Sequence, residues 1–445
     1  MKIFIPDDVK IIMDILSKNG FKSYIVGGSV RDSLVGKSPK DYDICTSATP
    51  EEMMAVFRDF HIIPTGIKHG TITVMLNDIG YEITTFRIDG NYSDSRRPDN
   101  VKFVDNIVDD LGRRDFTINA MAYNEKEGLI DPYGGYPDLI INHTISCVGN
   151  ADTRFSEDPL RMLRAIRFSA QLGFDVDQRT RWAIVANANK IEKISKERIR
   201  DEICKILMSD NPQNIEKLQS MGLMKYVIPK LELCFGVKQD NDYHNLNIGE
   251  HIIKSLIDSP KDLNIRLALL LHDIGKPKCK TIGQDVQGHF YNHEKVSMQM
   301  AKVWLKKYRF DNDTIGEVCT LILYHDYFTS YSKHSIKKLL NIAGVNIALK
   351  LVEIRNQDIK AQSEKYFYRL EESEKIKDII NDIILVNEVF SIKNLAINGD
   401  DLIIMGFEEG EKIGKILNYL LNLVLEFPEY NTRNKLIEMV KDNFK

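Results

Sequence analysis

The hydrophobic periods divide this chain in two. Up to about residue 135, short β-rich runs alternate with turn residues. From about residue 155 to residue 445 the apolar positions recur at helical spacing with few strand signals. That change predicts a small α/β head, a mixed sheet with helices, followed by an all-α neck, body and tail. In the head, Val9, Ile12, Met13 and Leu16 mark a helix that Asn19-Gly20 ends. Tyr24-Ile25-Val26, Tyr42-Asp43-Ile44, Thr71 to Val74 and Glu82 to Phe86 read as strands. A chain of 445 residues has room for roughly two to four domains. The boundaries fall at 1–135 for the head, 136–235 for a helical neck and body, 236–365 for a histidine-rich segment and 366–445 for a helical tail.

Composition excludes several classes. Hydrophobic residues at 43% and charged residues at 28% describe a folded chain rather than a disordered one. Lys and Arg total 60 against 64 Asp and Glu, a net charge of −4, so nucleic acid would have to be held by a local patch. One candidate patch is Arg154 to Lys205, where 12 basic residues stand against 8 acidic ones; the alternative is a solvated helix face. The longest aliphatic run, Leu267 to Leu271, is far short of the roughly 17–25 residues of a membrane span. Asp7 and Asp8 interrupt the place where a signal peptide would continue its apolar core. Six cysteines, at 45, 147, 204, 234, 279 and 319, never fall at CxxC spacing, so free thiols in the cytoplasm are expected. Neither a membrane nor a protein partner is predicted. Asp89 to Pro98 is polar and punctuated by Gly and Pro, as a mobile loop would be.

Two clusters carry chemistry. Gly27-Gly28-Ser29-Val30-Arg31-Asp32 runs from a strand into a helix, and Asp41-Tyr42-Asp43 follows. On a strand, residues two apart share a face, so Asp41 and Asp43 would stand side by side. Two adjacent carboxylates need a neutralising cation, and Mg²⁺ carrying a nucleoside triphosphate suits them. Two such ions can activate an attacking hydroxyl and steady the leaving pyrophosphate. Gly28 lets phosphate approach the backbone, and Arg31 adds a charged donor. Glu82 is either a third metal carboxylate or a surface strand residue. In the second cluster, seven of the ten histidines (244, 251, 272, 289, 293, 325 and 334) fall within 91 residues. Imidazole with carboxylate suits Mn²⁺, Ni²⁺, Fe²⁺ or Mg²⁺.

The segment GGSVRD with DYDI resembles the opening motif of the class II tRNA nucleotidyltransferases, the CCA-adding enzymes and bacterial poly(A) polymerases. The resemblance continues in order. Arg113 to Ala120 (RRDFTINA) is similar to the motif that contacts the nucleotide sugar, which makes Arg114, Asp115 and Asn119 nucleotide-binding candidates. Asp115 and Asn119 have the chemistry to bond a ribose 2′-hydroxyl. Asp131 to Gly135 resembles a hinge-like motif, and Glu157 to Arg164 (EDPLRMLR) the nucleotide-selecting motif. Lys196 to Ile199 with Glu202 resembles the motif that braces the neck. Spacing predicts that Asp158, Arg161 and Arg164 or Ala165 share one helix face. A carboxylate accepts from an exocyclic amine and a guanidinium donates to a ring nitrogen, which suits cytosine and adenine and mismatches uracil and guanine. The resemblance therefore implies addition of C, C and A to the tRNA 3′ end from CTP and ATP, with Asp41 and Asp43 catalytic. The stretch Gly66 to Thr71 (GIKHGT) is closer to the CCA-adding branch than to the poly(A) branch. Asp94, Arg96 and Arg97 in the loop resemble the full-length flexible loop of that branch.

The histidine-rich segment, with LALLLHDIGK at Leu267 to Lys276, resembles an HD phosphohydrolase domain. That likeness implies His251, His272, Asp273 and Asp358 as metal ligands, with His293 and His325 serving a second metal or phosphate. It also implies a phosphodiesterase or phosphatase acting on RNA ends such as 2′,3′-cyclic phosphates. In the tail, Asn398 to Leu402 with Gly406, Gly410 and Gly414 offers either helix N-termini to tRNA phosphates or plain helix packing. The competing functions are a poly(A) polymerase or A-only adding enzyme and, in another class, an HD phosphohydrolase with a non-catalytic RNA-binding head.

Overall fold

The fold is that of a computed structural model, which describes residues 2–90, 92, 98–243, 245–283, 287–328, 332–386 and 388–444. Asp94, Arg96, Arg97 and His244 lie outside the described residues. The chain forms two units, Met1–Val227 and Ile228–Lys445. No helix among the described residues is long and apolar enough to cross a membrane, and all six cysteines are free.

The first unit is built on a seven-stranded mixed sheet. Helix α1 (Asp7–Lys18) buries Val9, Ile12, Met13 and Leu16, the stripe its sequence spacing predicts. Strand β1 (Ser23–Val26) follows, then helix α2 (Gly28–Leu34) and strand β2 (Asp43–Thr46). Strands β3 (His61–Gly66), β4 (Thr71–Leu76) and β5 (Ile79–Thr85) form a meander. After helix α3 (Ile107–Gly112) come β6 (Ala122–Asn124) and β7 (Gly128–Ile130). The sheet order is β3-β4-β5-β2-β1-β6-β7. β2 is antiparallel to β1, with Val26 opposite Asp43, and parallel to β5, with Ile44 beside Ile83. Tyr24, Val26 and Cys45 alternate onto one face and pack with Phe86, Ile107 and Leu111 in one core. Helices α4 (Ala151–Glu157), α5 (Leu160–Leu172), α6 (Gln178–Asn187) and α7 (Lys196–Leu207) complete the unit.

The second unit is almost entirely helical. Its central helix α9 (Leu263–Leu271) follows α8 (Ile248–Ser255) and is buried continuously from Ile265 to Leu271, as its unbroken apolar run requires. Arg266 survives there because its guanidinium donates to the Ser259 hydroxyl and carbonyl at 3.1 and 2.6 Å. Helices α10 (His293–Lys307), α11 (Asn312–Tyr324) and α12 (Lys333–Ala361, kinked at Gly344) pack around it, and α13 (Arg369–Leu385) packs on α12. A separate core gathers Leu402, Ile416, Leu420, Val424, Leu436 and Val440 from the last helices. At Asn398 the short helix start is capped by its own Asp401 and Asn398 side chains, and Asp401 also holds Arg433 at 2.7 Å. The packing alternative therefore describes this segment as it stands.

Candidate functional site

In the first unit the acidic pair sits at the leading end of β2. Asp43 opens the strand, whereas Asp41 precedes it, so the expected two-residue strand pairing is corrected. The reason is the ladder. β1 ends at Val26, opposite Asp43, and turns away at Gly27, so Asp41 has no partner on that side. The carboxylates still feel one another. Loss of surrounding water pushes the Asp43 carboxyl above its ordinary value, Arg114 pulls it down and Asp41 pushes it up. Extending the β2–β5 register by one residue sets Glu82 beside Asp43, on the same face. Glu82 is exposed at a cavity of about 380 Å³ shared with His69, Thr71, Thr73 and Arg87. The turn above the pair needs glycine. Gly27 has φ of 70°, and a Cβ there would come within 2.9 Å of the Arg114 guanidinium. Arg114 is held from beneath by buried Asp110 at 3.5 Å, and Asp110 also binds Arg113 at 2.8 Å. Burial would raise the Asp110 carboxyl, but Arg113 and Arg114 outweigh it and hold the group down.

Behind the turn lies a chain of charged groups. Arg31 donates to the Asn119 amide oxygen at 2.7 Å, and Asn119 donates to Asp115 at 3.3 Å. Asp115 receives Arg164 at 2.6 Å. Burial alone would raise the Asp115 carboxyl, but Arg164 and Arg161 override it and bring the pKa down to about 2. Asp115 and Asn119 are both buried. The Phe168 ring lies under three guanidiniums, with Arg167 at 4.1 Å, Arg31 at 5.2 Å and Arg164 at 5.5 Å. Arg167 is paired with buried Glu202 at 2.9 Å.

The nucleotide-selecting segment departs from the expected single helix face. α4 ends at Glu157 and α5 begins at Leu160, which leaves Asp158 in extended backbone with φ of −140°. Pro159 causes this, because the residue before proline is disfavoured in the helical region. Asp158 then accepts from Arg198 at 2.7 Å, while Arg161 binds Glu157 at 2.6 Å. Arg154, Arg161, Arg164, Arg167 and Arg198, all from the basic stretch, are each paired with an acid. The hinge-like segment is a tight turn: Asp131 accepts from the Gly135 and Tyr136 amides at 2.7 and 2.8 Å.

In the second unit, helix ends converge on one buried cluster. α8 supplies His251, the end of α9 His272 and Asp273, the start of α10 His293, the end of α11 His325 and Asp326, and α12 Asp358. His272, His293 and His325 share a device. The Nδ1 of each lies 2.7–2.9 Å from the carbonyl three residues earlier, of Leu269, Phe290 and Ile322 respectively. A carbonyl can only accept, so each ring donates from Nδ1 and turns its Nε2 atom inward. The two oxygens of Asp273 divide the cluster. Oδ2 lies 3.3 Å from His272 and 3.7 Å from His251, and Oδ1 lies 3.3 Å from His293. Asp358 approaches His251 at 2.9 Å and His272 at 3.7 Å, and Asp326 approaches His293 at 3.5 Å. Three groups of side chains could each hold a cation: His251, His272 and Asp358; His272, Asp273 and His325; and His293, His325 and Asp326. The donor set fits a divalent metal of borderline or harder character. Burial would raise Asp273 and Asp358, yet their histidine neighbours, and for Asp273 also Lys276, hold both well below the usual range. Sequence reading did not assign Lys276 a role. It is buried and bonds Asp273 at 2.7 Å, and only the turn after α9 brings it there. His289 stacks on Tyr291 and His334 bonds the Leu425 carbonyl, so neither joins the cluster.

Comparison with known proteins adds the following. Residues 23–144 match the poly A polymerase head domain, 173–234 the RNA and SrmB-binding site of polymerase A, and 290–440 tRNA nucleotidyltransferase domain 2. The chain is 47% identical over 226 residues to a CCA-adding enzyme of Ligilactobacillus salivarius, covering 50% of this chain and 55% of that protein. It is 50% identical over 213 residues to one of Geobacillus thermodenitrificans, covering 48% and 52%. The match thus spans about half the length of these curated relatives. Among solved structures, the Bacillus stearothermophilus CCA-adding enzyme in complex with CTP superposes with a TM-score of 0.71 at 27% identity, covering 97% of this chain and 96% of that one. The Thermotoga maritima CCA-adding enzyme complexed with tRNA shares the fold, with a TM-score of 0.59 at 21% identity over 99% and 100%.

Proposed function

We propose, from the match of residues 23–144 to the poly A polymerase head domain and the likeness to CCA-adding enzymes, that the chain adds C, C and A to the 3′ end of tRNA from CTP and ATP without a nucleic-acid template. The observation that carries this reading is the placement of Asp41 and Asp43 at the leading end of β2 beside the Gly27 turn, with Glu82 in register with Asp43. Such a pair fits a hard dication. Mg²⁺ held by Asp41 and Asp43, with Glu82 beside them, would acidify the RNA 3′-hydroxyl and neutralise the departing pyrophosphate, and two ions would do both at once. Gly28 admits the triphosphate, and Arg114 and Arg31 supply charged donors for it. The RNA 3′-oxygen forms a bond to the α-phosphorus, pyrophosphate leaves, and the hydroxyl proton passes to solvent. Asp158 accepts the exocyclic amine of C or A, and Arg161 donates to the adjacent ring nitrogen. Arg198 and Glu157 hold those two groups in orientation. Uracil and guanine present a carbonyl beside a ring N–H, so each mispaired buried group costs about 1–3 kcal/mol.

The test is incubation with Mg²⁺, CTP, ATP and a tRNA lacking its CCA end. Three added residues of sequence CCA are expected. A poly(A) tail or a single A would establish the alternative members of the class, and tail addition that persists in Asp41→Ala/Asp43→Ala would sink the catalytic assignment.

A second activity is proposed for the second unit on its own observation, the three inward-facing Nε2 atoms beside Asp273 and Asp358. We infer a metal-dependent phosphohydrolase acting on RNA ends. A divalent ion held by His251, His272, Asp273 and Asp358 would acidify a bound water. In opening a 2′,3′-cyclic phosphate, the water oxygen bonds to phosphorus, one ribose oxygen leaves, and that oxygen takes a proton. Lys276 keeps Asp273 ionised throughout. His272→Ala/Asp273→Ala is expected to abolish the second unit's share of Mn²⁺ binding and hydrolysis and to spare CMP and AMP addition.

A further inference from the structure

The rim of the second unit's cluster carries aromatic side chains that the proposed hydrolysis does not use. The segment from Gln239 to Tyr243 is tied to both sides of the cluster. At one end, Lys276 bonds the Gln239 side chain at 3.1 Å while also holding Asp273. At the other, the Tyr243 carbonyl accepts from the Ser363 amide at 3.0 Å. The neighbouring Gln362 donates to Asp358 Oδ2 at 2.7 Å. Tyr243 lies four residues beyond Gln239, and its carbonyl is anchored by the residue next to the Gln362 that holds Asp358. Its ring stacks on Tyr366, with centroids 4.4 Å apart and planes at 27°. Tyr368 follows at 6.5 Å. Tyr243 is 47% exposed and Tyr368 59% exposed.

Cations accompany the rings. Arg369 donates to the Gln362 amide oxygen at 3.0 Å, which completes a relay Asp358–Gln362–Arg369. The Lys365 ammonium lies 5.1 Å from the Tyr366 centroid, and Lys254 donates to the Gln362 carbonyl. A half-exposed stack of two rings flanked by cations, one relay away from metal-type carboxylates, matches a nucleotide with its base on the ring and its phosphate at the centre. Free phosphate would use the carboxylate and histidine side alone.

We propose that Tyr243, backed by Tyr366, is a base-stacking platform, so that the second unit's site takes phosphate esters borne on a nucleoside, as at an RNA 3′ end. Arg369 positions Gln362 and through it Asp358. The proposal rests on the phosphohydrolase reading above and adds the side chain that takes the base. Aromatic stacking tolerates any base, which suits an enzyme meeting RNA ends of varied sequence.

Calorimetric titration of the full chain in Mn²⁺ with guanosine 3′-monophosphate and, separately, with inorganic phosphate tests it. Guanine is chosen because the first unit's proposed selectivity rejects it. The intact protein is expected to bind the nucleotide about tenfold more tightly than phosphate, the order of one base–aromatic stack. Tyr243→Ala should remove that preference and leave phosphate and Mn²⁺ binding unchanged, and Tyr243→Trp should restore it. Equal nucleotide affinity in Tyr243→Ala and the intact protein overturns the platform. Failure of His272→Ala/Asp273→Ala to alter Mn²⁺ binding overturns the hydrolase reading instead. A Tyr243-dependent preference surviving that double change would support the platform as a nucleotide site without a hydrolase.

Discussion

Asp115→Asn keeps the shape of the residue at the centre of the Arg31–Asn119–Asp115–Arg164 chain and removes its charge. The carboxyl is held at about 2 against an ordinary 3.8, although it is buried. At 1.36 kcal/mol per pH unit, that difference is worth about 2 kcal/mol to the native state. For a unit of this size, each kcal/mol moves the melting temperature by roughly 2–4 °C, so a fall of about 4–8 °C is expected at pH 7. The sign with pH is fixed. A depressed carboxyl stabilises the native state only where it is ionised there and would be ionised unfolded. The gap between intact protein and variant should therefore be full above about pH 5 and shrink as pH falls from about 4 toward 2. Thermal melts at pH 7, 5, 4 and 3.5 measure it. Hydrogen exchange at Arg164 to Phe168 identifies the transition of the first unit, since a two-unit chain need not melt in one step. An unchanged melting temperature at pH 7, or a gap that widens on acidification, would refute the argument.

Other perturbations follow from single contacts. Asp41→Asn should stop CMP and AMP addition yet leave the first unit as stable or slightly more so, because it relieves the repulsion felt by Asp43; competing addition and melting assays read both. Arg198→Ala frees Asp158 and should lower CTP-over-UTP discrimination by about tenfold while triphosphate affinity falls less, as measured by single-nucleotide incorporation. In the second unit, a Cβ on Gly275 would meet the Ser297 amide at 2.6 Å and the His293 carbonyl at 2.9 Å. Gly275→Ala should displace the start of α10 and weaken Mn²⁺ binding by about 10–100-fold, the size typical of disturbed metal support, with CCA addition unaffected.

The sequence carried the architecture because its signals are local. Period two in Thr71 to Val74 and period 3.6 in Val9 to Leu16 survive folding unchanged. Where a distant partner decides, pattern reading fell short. Asp41 left the strand because β1 ends opposite Asp43. Asp158 left the helix because of Pro159, a signal that was present in the sequence and outweighed by the i, i+3 spacing with Arg161. The pairing of Arg164 with Asp115 joins residues 49 apart and has no periodic trace. The same holds for Lys276 with Gln239, and for Tyr243 with Tyr366. Asp326, beside His325, was visible in the sequence but acquired its meaning only when α10 brought His293 to it.

Every arginine around the Phe168 ring and the Asp158 turn already has a carboxylate partner of its own. Admission of an anionic guest is therefore an exchange of partners, with resident acids acting as placeholders until something better arrives. Exchange of that kind displaces few condensed counterions, so affinity should respond to added salt more gently than a tally of guanidiniums suggests. Discrimination at the Asp158 turn, by contrast, rests on two side chains whose resident partners stay in place.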